Sequence, residues 1–442
     1  MTIPYNIDTN VPTLGIPKIN SPMKSLVNDP KSRNFIPDTK RVLISVISDD
    51  FTEVIKSGFA PLSFEAAGPR EKIFFDPSKL RCALITCGGL CPGINDIIRS
   101  IVFSLYFGYG VRNIYGIKYG LQGFIPEYGH DFIQLGPSAV VDILTRGGSI
   151  LGSSRGPQDI EKIVDSLERM NVGILFMIGG DGTLQAALNI ADAIIKRGLN
   201  ISVVGIPKTI DNDIFLVSKS FGFDTAVEIA TSAIRSAHTE AIGYPDGIGL
   251  IKLMGRYSGF IAVNSALAQQ DVNFVLIPEA DFDLEGERGL LKALENRLSS
   301  RKHAVIVVAE GAGQKFFGKN QKKYDASGNI KLYDIGSFLK DKITQYFKDK
   351  NINIAMKYID PSYMIRSVPA NANDRVFCSF LGREAVHAGM AGKTKLIIGH
   401  WNNCFVHLPM EASVGKRKSV NTEGRLWRGV LEATGQGALT NW

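Results

Sequence analysis

Four reactive side chains, Lys208, Thr209, Asp211 and Asp213, fall within six residues in PKTIDND, directly behind the apolar run ISVVGI. Two carboxylates, a hydroxyl and an ammonium must repel, titrate or bind something if they meet at a strand end. The set suits transfer of a phosphoryl group to a sugar hydroxyl. That chemistry asks little covalent help of a protein; it needs alignment, neutralised charge and a base beside the nucleophile. Asp211 could take the proton of the attacking hydroxyl, Thr209 could bond a phosphate oxygen, and Asp213 could help hold a metal or orient its neighbour. An Asx-turn followed by a helix cap would also use these residue types, but it has no need of Lys, Thr and two Asp together.

The phosphate donor has its own candidates. IGGDGT follows the apolar run GILFM and precedes an amphipathic segment. Gly179, Gly180 and Gly182 let the backbone turn sharply and bring amides close to an anion, and the helix opening at Thr183 adds its positive dipole end. Asp181 is the lone carboxylate of that turn. Phosphates would repel it unless a cation sits between, which makes it a Mg²⁺ ligand, direct or through water; the plainer alternative is an N-cap. CGGLCPGIN contributes Gly89 in a second turn. GGSILGSSRGPQD contributes Arg155 and Gly156 in a third, where a guanidinium could bridge two phosphates.

Three further motifs suit the acceptor. MGRYSGFIA places Met254, Gly255 and Arg256 at a strand end, and VVAEG ends on Glu310, a partner for a sugar diol. YMIR carries Tyr363 and Arg366, a clamp for a second phosphate. Taken singly, each also reads as surface charge or a helix cap.

These motifs need a frame. From Leu80 the chain repeats short apolar runs, each followed by a Gly-rich turn and an amphipathic segment: CALITCGGL, GILFMIGGDG, ISVVGIPKTIDND, GIGLIKLMGR, NFVLIPE and HAVIVVAEG. Buried strands alternating with helices predict an α/β protein with parallel-rich sheets, which bind ligands at the carboxyl ends of their strands. The series is long enough for two sheets, hence two lobes and a cleft. The expected division is an N-terminal extension over 1–78, a nucleotide-binding lobe over 79–222 plus about 365–442, and a sugar-phosphate-binding lobe over 223–364. The extension is rich in proline and polar residues, with one apolar stretch, RVLISVI, and little core of its own, which predicts a segment wrapped on the body or mediating contacts.

Bulk properties exclude several classes. The 442 residues are 45% hydrophobic, and the formal charge of +7 is scattered, which favours anionic small ligands over nucleic acid. The five cysteines show no zinc spacing and read as reduced cytoplasmic thiols. No signal peptide or membrane-length apolar run is apparent.

GGDGT, PKTIDND, MGRYSGFIA, the AEG strand end and YMIR occur in this order in 6-phosphofructokinases, which this sequence resembles over about residues 65–442. GGDGT alone is shared with NAD kinases and diacylglycerol-type lipid kinases; PKTIDND followed by MGRYSGFIA is specific. The resemblance is greatest to the longer ATP-using group of plants and protists, which shares GPREKIFFDP and CGGLCPGIN. It implies two Rossmann-like lobes and Mg²⁺-assisted transfer of the ATP γ-phosphate to the C1 hydroxyl of fructose 6-phosphate. Asp211 would be the general base and Asp181 the metal residue. Gly89, Arg155, Gly156, Gly180, Asp181, Gly182, Thr183 and Lys208 would line the nucleotide. Thr209, Ile210, Asp211, Met254, Gly255, Arg256, Glu310, Tyr363 and Arg366 would hold the sugar phosphate. The family forms homodimers and homotetramers, and allosteric control is common to it.

Pyrophosphate-dependent members form the alternative. They carry GGDD in the donor turn and Lys before the Thr of TIDND; this chain has Gly182 and Lys208, a mixed signature. Glycine at 182 favours ATP, because an aspartate would project charge where the α-phosphate passes. Short bacterial members carry an Arg seven residues before the Met of MGR, where this chain has Gly247. Lys357 is the candidate for a cation shared across subunits.

Overall fold

The computed structural model describes residues 7–23, 35–56, 58, 60–318 and 331–441. Parts of the expected extension (1–6, 24–34, 57 and 59) lie outside the described residues, as do 319–330 and Trp442. Two sheets organise the chain. The larger uses β1 (Arg41–Leu43), β2 (Ser63–Ala66), β3 (Arg81–Thr86), β4 (Asn113–Ile117), β5 (Phe132–Gln134), β6 (Ile174–Gly179) and β7 (Ser202–Pro207). The smaller uses β8 (Gly247–Leu253), β9 (Phe274–Leu276), β10 (His303–Ala309) and β11 (Ala355–Ile359). The chain then returns to the larger sheet with β12 (Leu396–Trp401) and β13 (Cys404–Pro409).

The larger sheet runs β1-β2-β13-β12-β7-β6-β3-β4-β5. Its centre, from β12 to β4, is parallel, while the pairs at both margins are antiparallel. The smaller sheet, β9-β10-β8-β11, is parallel throughout. The expected α/β class with parallel-rich sheets is therefore the fold observed. β6 is buried at all six positions, and β7 likewise, so both sheet faces are covered and the strands read as continuous apolar runs.

One core spans both sheets. Leu84 and Ile178 of the larger sheet share a buried cluster with Ile251 and Leu253 of the smaller, through helices Phe223–Ile242 and Ala372–Met390. Asp374, fully buried, joins these helices by accepting from the amides of Gly222 and Thr225 and from the Thr225 hydroxyl, at 2.6–3.0 Å. It satisfies orphan amides at a helix start where the N-cap, Gly222, has no side chain.

Two stretches sit differently from their sequence reading. The extension supplies β1 and β2 to the larger sheet, and Phe64 and Ile73 are fully buried, so it belongs to the body's core. It is fastened by charge: Arg70 reaches Glu65 at 2.7 Å and Asp38 at 2.7 Å, and Lys393 and His407 reach Glu65 at 3.1 and 3.0 Å. The chain end, expected with the first lobe, packs on the second. Trp427 and Val430 of the last helix, Arg425–Thr434, join the shared core beside helix Phe260–Gln269, and Leu439 enters the core around the smaller sheet. Among the described residues, no helix is long and apolar enough to cross a membrane.

Candidate active site

Five of the motifs singled out above begin where a parallel strand stops; the loop that carries Arg155 follows the short turn Ile143–Thr145 instead, and Tyr363 lies four residues beyond the end of β11. β6 ends at Gly179 before Gly180 and Asp181, and β7 ends at Pro207 before Lys208. β8 ends at Leu253 before Met254, β10 at Ala309 before Glu310, and β3 at Thr86 before Gly88 and Gly89. Parallel sheets collect these turns on one edge.

On the donor side, helix Asp181–Lys196 opens with Gly180 as its N-cap and no side-chain cap, which leaves its positive dipole end without a side-chain partner. Thr183 is buried, its amide bonded to the Gly180 carbonyl at 2.9 Å. Gly179 needs to be glycine, because a Cβ there would overlap the Thr183 side chain. Gly182 is different: a Cβ there meets nothing within 4 Å, and its φ is ordinary. What that glycine preserves is open volume.

Three cations converge on Gly89. Lys208 is buried and donates to the Gly89 carbonyl at 2.6 Å. A Cβ on Gly89 would lie 3.7 Å from Arg366 Nη1 and 3.8 Å from Arg155 Nη2. Burial, and secondarily the charge of Arg155, holds the Lys208 pKa below its usual value. A glycine turn ringed by positive charge, with amides nearby, is built for a phosphate. Arg366, which the sequence assigns to the sugar phosphate, thus stands beside Arg155, which it assigns to the nucleotide. Gly156 takes the left-handed φ of 93° that turns this loop.

On the acceptor side, the Asp211 amide donates to Thr209 Oγ1 at 3.1 Å, and Thr209 Oγ1 donates to Asp213 Oδ1 at 3.4 Å. Asn212 takes φ 53°, a left-handed turn tolerable for Asn, and accepts from the Ser220 amide. Ile210 is buried under this turn. Ser258 donates to the Asp211 carbonyl at 3.2 Å, which ties MGRYSG of the smaller sheet to TIDND of the larger. Gly255 has φ 131°, and Gly311 lies so close to the Arg256 carbonyl that a Cβ would overlap it, so the Met254–Arg256 and Glu310 turns nest together.

Asp211 Oδ1 is buried with no hydrogen-bond partner. Burial pushes its carboxyl well above the usual carboxylate range, helped by the neighbouring charges of Asp213 and Glu310 and opposed by Arg256 and Arg417. An orphaned, high-pKa carboxylate in a cleft is what a general base requires. Glu310 is raised too, by burial, against the pull of Arg256 and Lys252. Tyr363 is 74% exposed and its ring lies against the Arg366 guanidinium. Lys357 stands elsewhere: it pairs with Glu240 at 3.3 Å and lies over the Tyr244 ring, neither a residue of this cleft.

Sequence reasoning missed Arg417. It contacts Asp213 at 3.0 Å and Asp181 at 3.4 Å and stacks on Tyr257. Its only sequence signal was the basic run GKRKS, which ordinarily marks a solvated face. Among the described residues no cluster of three or more His, Cys, Asp or Glu could hold a metal ion. Asp181 and Asp213 nonetheless converge on one cation. That all-oxygen pair fits Mg²⁺, which takes one or two carboxylates and fills its octahedron with water and substrate phosphates.

Parallel sheets, a glycine turn ringed by cations and a buried, orphaned carboxylate are the parts of an α/β phosphotransferase. Residues 81–389 match the family model described as Phosphofructokinase, and the chain belongs to that family. It is 53% identical over 437 residues to the ATP-dependent 6-phosphofructokinase of Borreliella burgdorferi, covering 98% of this chain and 97% of that one. It is 44% identical over 378 residues to the ATP-dependent 6-phosphofructokinase of Trypanosoma brucei brucei, covering 85% and 77%. Its fold resembles a crystal structure of a pyrophosphate-dependent phosphofructokinase from Marinobacter aquaeolei, with a TM-score of 0.66 at 19% identity, over 81% of this chain and 92% of that one.

Proposed function

We propose that the chain is an ATP-dependent 6-phosphofructokinase that moves the γ-phosphate of ATP to the C1 hydroxyl of fructose 6-phosphate. The observation that carries this reading is Asp211, a buried carboxylate with an orphaned oxygen, three residues along one turn from Lys208, whose ammonium joins Arg155 and Arg366 around Gly89. Asp211 takes the hydroxyl proton at its free oxygen. Arg256 and Arg155 neutralise the group in transfer. Lys208 and the turn Gly180–Thr183 hold the donor, while Met254, Gly255, Glu310, Tyr363 and Arg366 hold the sugar phosphate. Asp181 would hold Mg²⁺, which would neutralise charge on the donor phosphates. The open volume at Gly182 supports ATP as donor, since it leaves room for the α-phosphate.

The reading extends to a cytoplasmic homodimer or homotetramer. The thiols of Cys82, Cys87, Cys91, Cys378 and Cys404 are all free, which suits a reducing compartment. Tyr363, Met364, Val376 and Phe380 are exposed apolar side chains, which suits a subunit contact. The deciding experiment is steady-state turnover with ATP and with pyrophosphate in parallel, each with and without EDTA. Metal-dependent turnover with ATP is expected; turnover with pyrophosphate alone would reverse the donor assignment.

A further inference from the structure

We infer that Arg417 is the resident counter-ion of the metal carboxylates, so that its contact with Asp181 and Asp213 and the entry of a divalent cation exclude each other. The inference rests on the reading of Asp181 as a metal side chain.

Two observations carry it. The first is the placement of the guanidinium, which gives one nitrogen to each carboxylate, Nη1 to Asp213 Oδ2 at 3.0 Å and Nη2 to Asp181 Oδ2 at 3.4 Å. Two carboxylates converging on one point repel, and a cation between them removes that cost. A flat guanidinium can serve both at once.

The second is the strap that delivers it. The Gly415 amide donates to Asp181 Oδ1 at 3.3 Å, and Arg417 pairs its backbone with Ile214. The Lys418 amide donates to the Asp213 carbonyl at 2.8 Å, and Lys418 Nζ donates to the Val217 carbonyl at 2.8 Å. The Val420 amide donates to Glu279, whose carboxylate also accepts from Gly259 at 3.0 Å. The strap is thus fixed to the segment after β7 at residues 213–217 and to the segment after β9 through Glu279. Tyr257, one residue after Arg256, supplies the ring on which the guanidinium stacks, 4.2 Å from its centroid. Backbone and ring hold Arg417 in place, so the cation position is built and not a chance contact of a long surface side chain.

A divalent ion and a guanidinium cannot both occupy that point. Metal entry must break the Asp181 and Asp213 contacts, and the freed guanidinium stays tethered beside the phosphates that accompany the metal.

The test uses Mn²⁺ as the probe, titrated into the full-length, nucleotide-free protein and followed by the electron paramagnetic resonance of free Mn²⁺. Removing the competing cation with Arg417→Met is expected to tighten Mn²⁺ binding by about tenfold. Tyr257→Leu, which removes the stacking ring and leaves every charge in place, should shift affinity the same way by a smaller factor, and it decides the matter if Arg417→Met does not fold. Asp181→Asn should abolish saturable binding. Unchanged or weaker Mn²⁺ affinity in variants with wild-type circular dichroism and melting overturns the inference. If wild type still turns over ATP, that result leaves the proposed function standing; Mn²⁺ binding that ignores Asp181→Asn would instead remove the metal assignment itself.

Discussion

Lys208 Nζ donates to the carbonyl oxygen of Gly89 at 2.6 Å. The bond joins the turn after β7 to the turn after β3, strands separated in the sheet by β6. It also explains why a donor turn with a lysine remains compatible with ATP. The ammonium is buried and committed to the backbone beneath the cleft, so its charge contributes from below while the volume at Gly182 stays open. Lys208 and Gly182 therefore act at different depths of one site, and the mixed signature is not a conflict.

That geometry makes Gly182→Asp the sharpest test of the donor. The new side chain meets nothing within 4 Å, so the fold should tolerate it and the melting temperature should stay near wild type. Its charge would enter the volume assigned to the nucleotide. A carboxylate about 4 Å from a phosphate oxygen costs about 4 kcal/mol at an effective dielectric near 20. That is roughly a thousandfold in kcat/KM for ATP. Retained ATP turnover in a folded variant would place the nucleotide elsewhere.

Asp211 is tested by activity and by pH. Asp211→Ser should lower kcat by about 10²–10⁴ while fructose 6-phosphate binding, measured by calorimetry, changes little. A base works only when deprotonated, so a raised pKa moves the acid limb of kcat/KM upward. Burial, then Asp213 and Glu310, raise it. The limb should lie clearly above the range of an ordinary carboxylate. Glu310→Gln, which removes one of the negative neighbours, should bring it down. A limb at the ordinary position in wild type would deny Asp211 its role.

Much of this site was legible because strand ends are local. A strand buried on both faces must be apolar throughout, so ILFMIG and SVVGIP announce themselves, and the polar residues that follow are then at the sheet edge by construction. Arg417 was not legible, because 204 residues separate it from Asp213 and no local pattern encodes a contact of that span. β2 was hidden for a different reason: SFEA places Glu65, an acid that belongs to no strand pattern, in the sheet, and only Arg70, Lys393 and His407 make it acceptable there. Nor did any local pattern show where the chain end packs: Trp427, Val430 and Leu439 follow the apolar surfaces available to them.

Gly247 begins β8, and a Cβ there would overlap the Ala241 carbonyl oxygen at the end of helix Phe223–Ile242. No arginine fits without moving that helix. Gly247→Ala is expected to destabilise by about 1–3 kcal/mol through overpacking, seen as a lower melting temperature. A neutral effect would mean the helix end gives way readily and the close approach has no consequence.

The last prediction concerns the charged fastening of the N-terminal segment. Burial alone would raise the Glu65 pKa, but the hydrogen bond from His407 and the charge of Lys393 outweigh it and bring it down to about 2 from 4.5. A carboxyl depressed in the folded state binds its proton more readily once unfolded. Its contribution is therefore complete above about pH 4.5 and disappears as the pH falls through about 2. Glu65→Gln keeps the shape but leaves Arg70 and Lys393, both nearly fully buried, short of a counter-charge. Breaking a buried pair in this way costs about 3–5 kcal/mol. Denaturant unfolding of wild type and Glu65→Gln should show that gap at pH 7 and show it narrowing below about pH 4.5, because wild type loses what the variant never had. A gap that stays constant down to about pH 2 would mean that Glu65 stabilises by packing and not by charge.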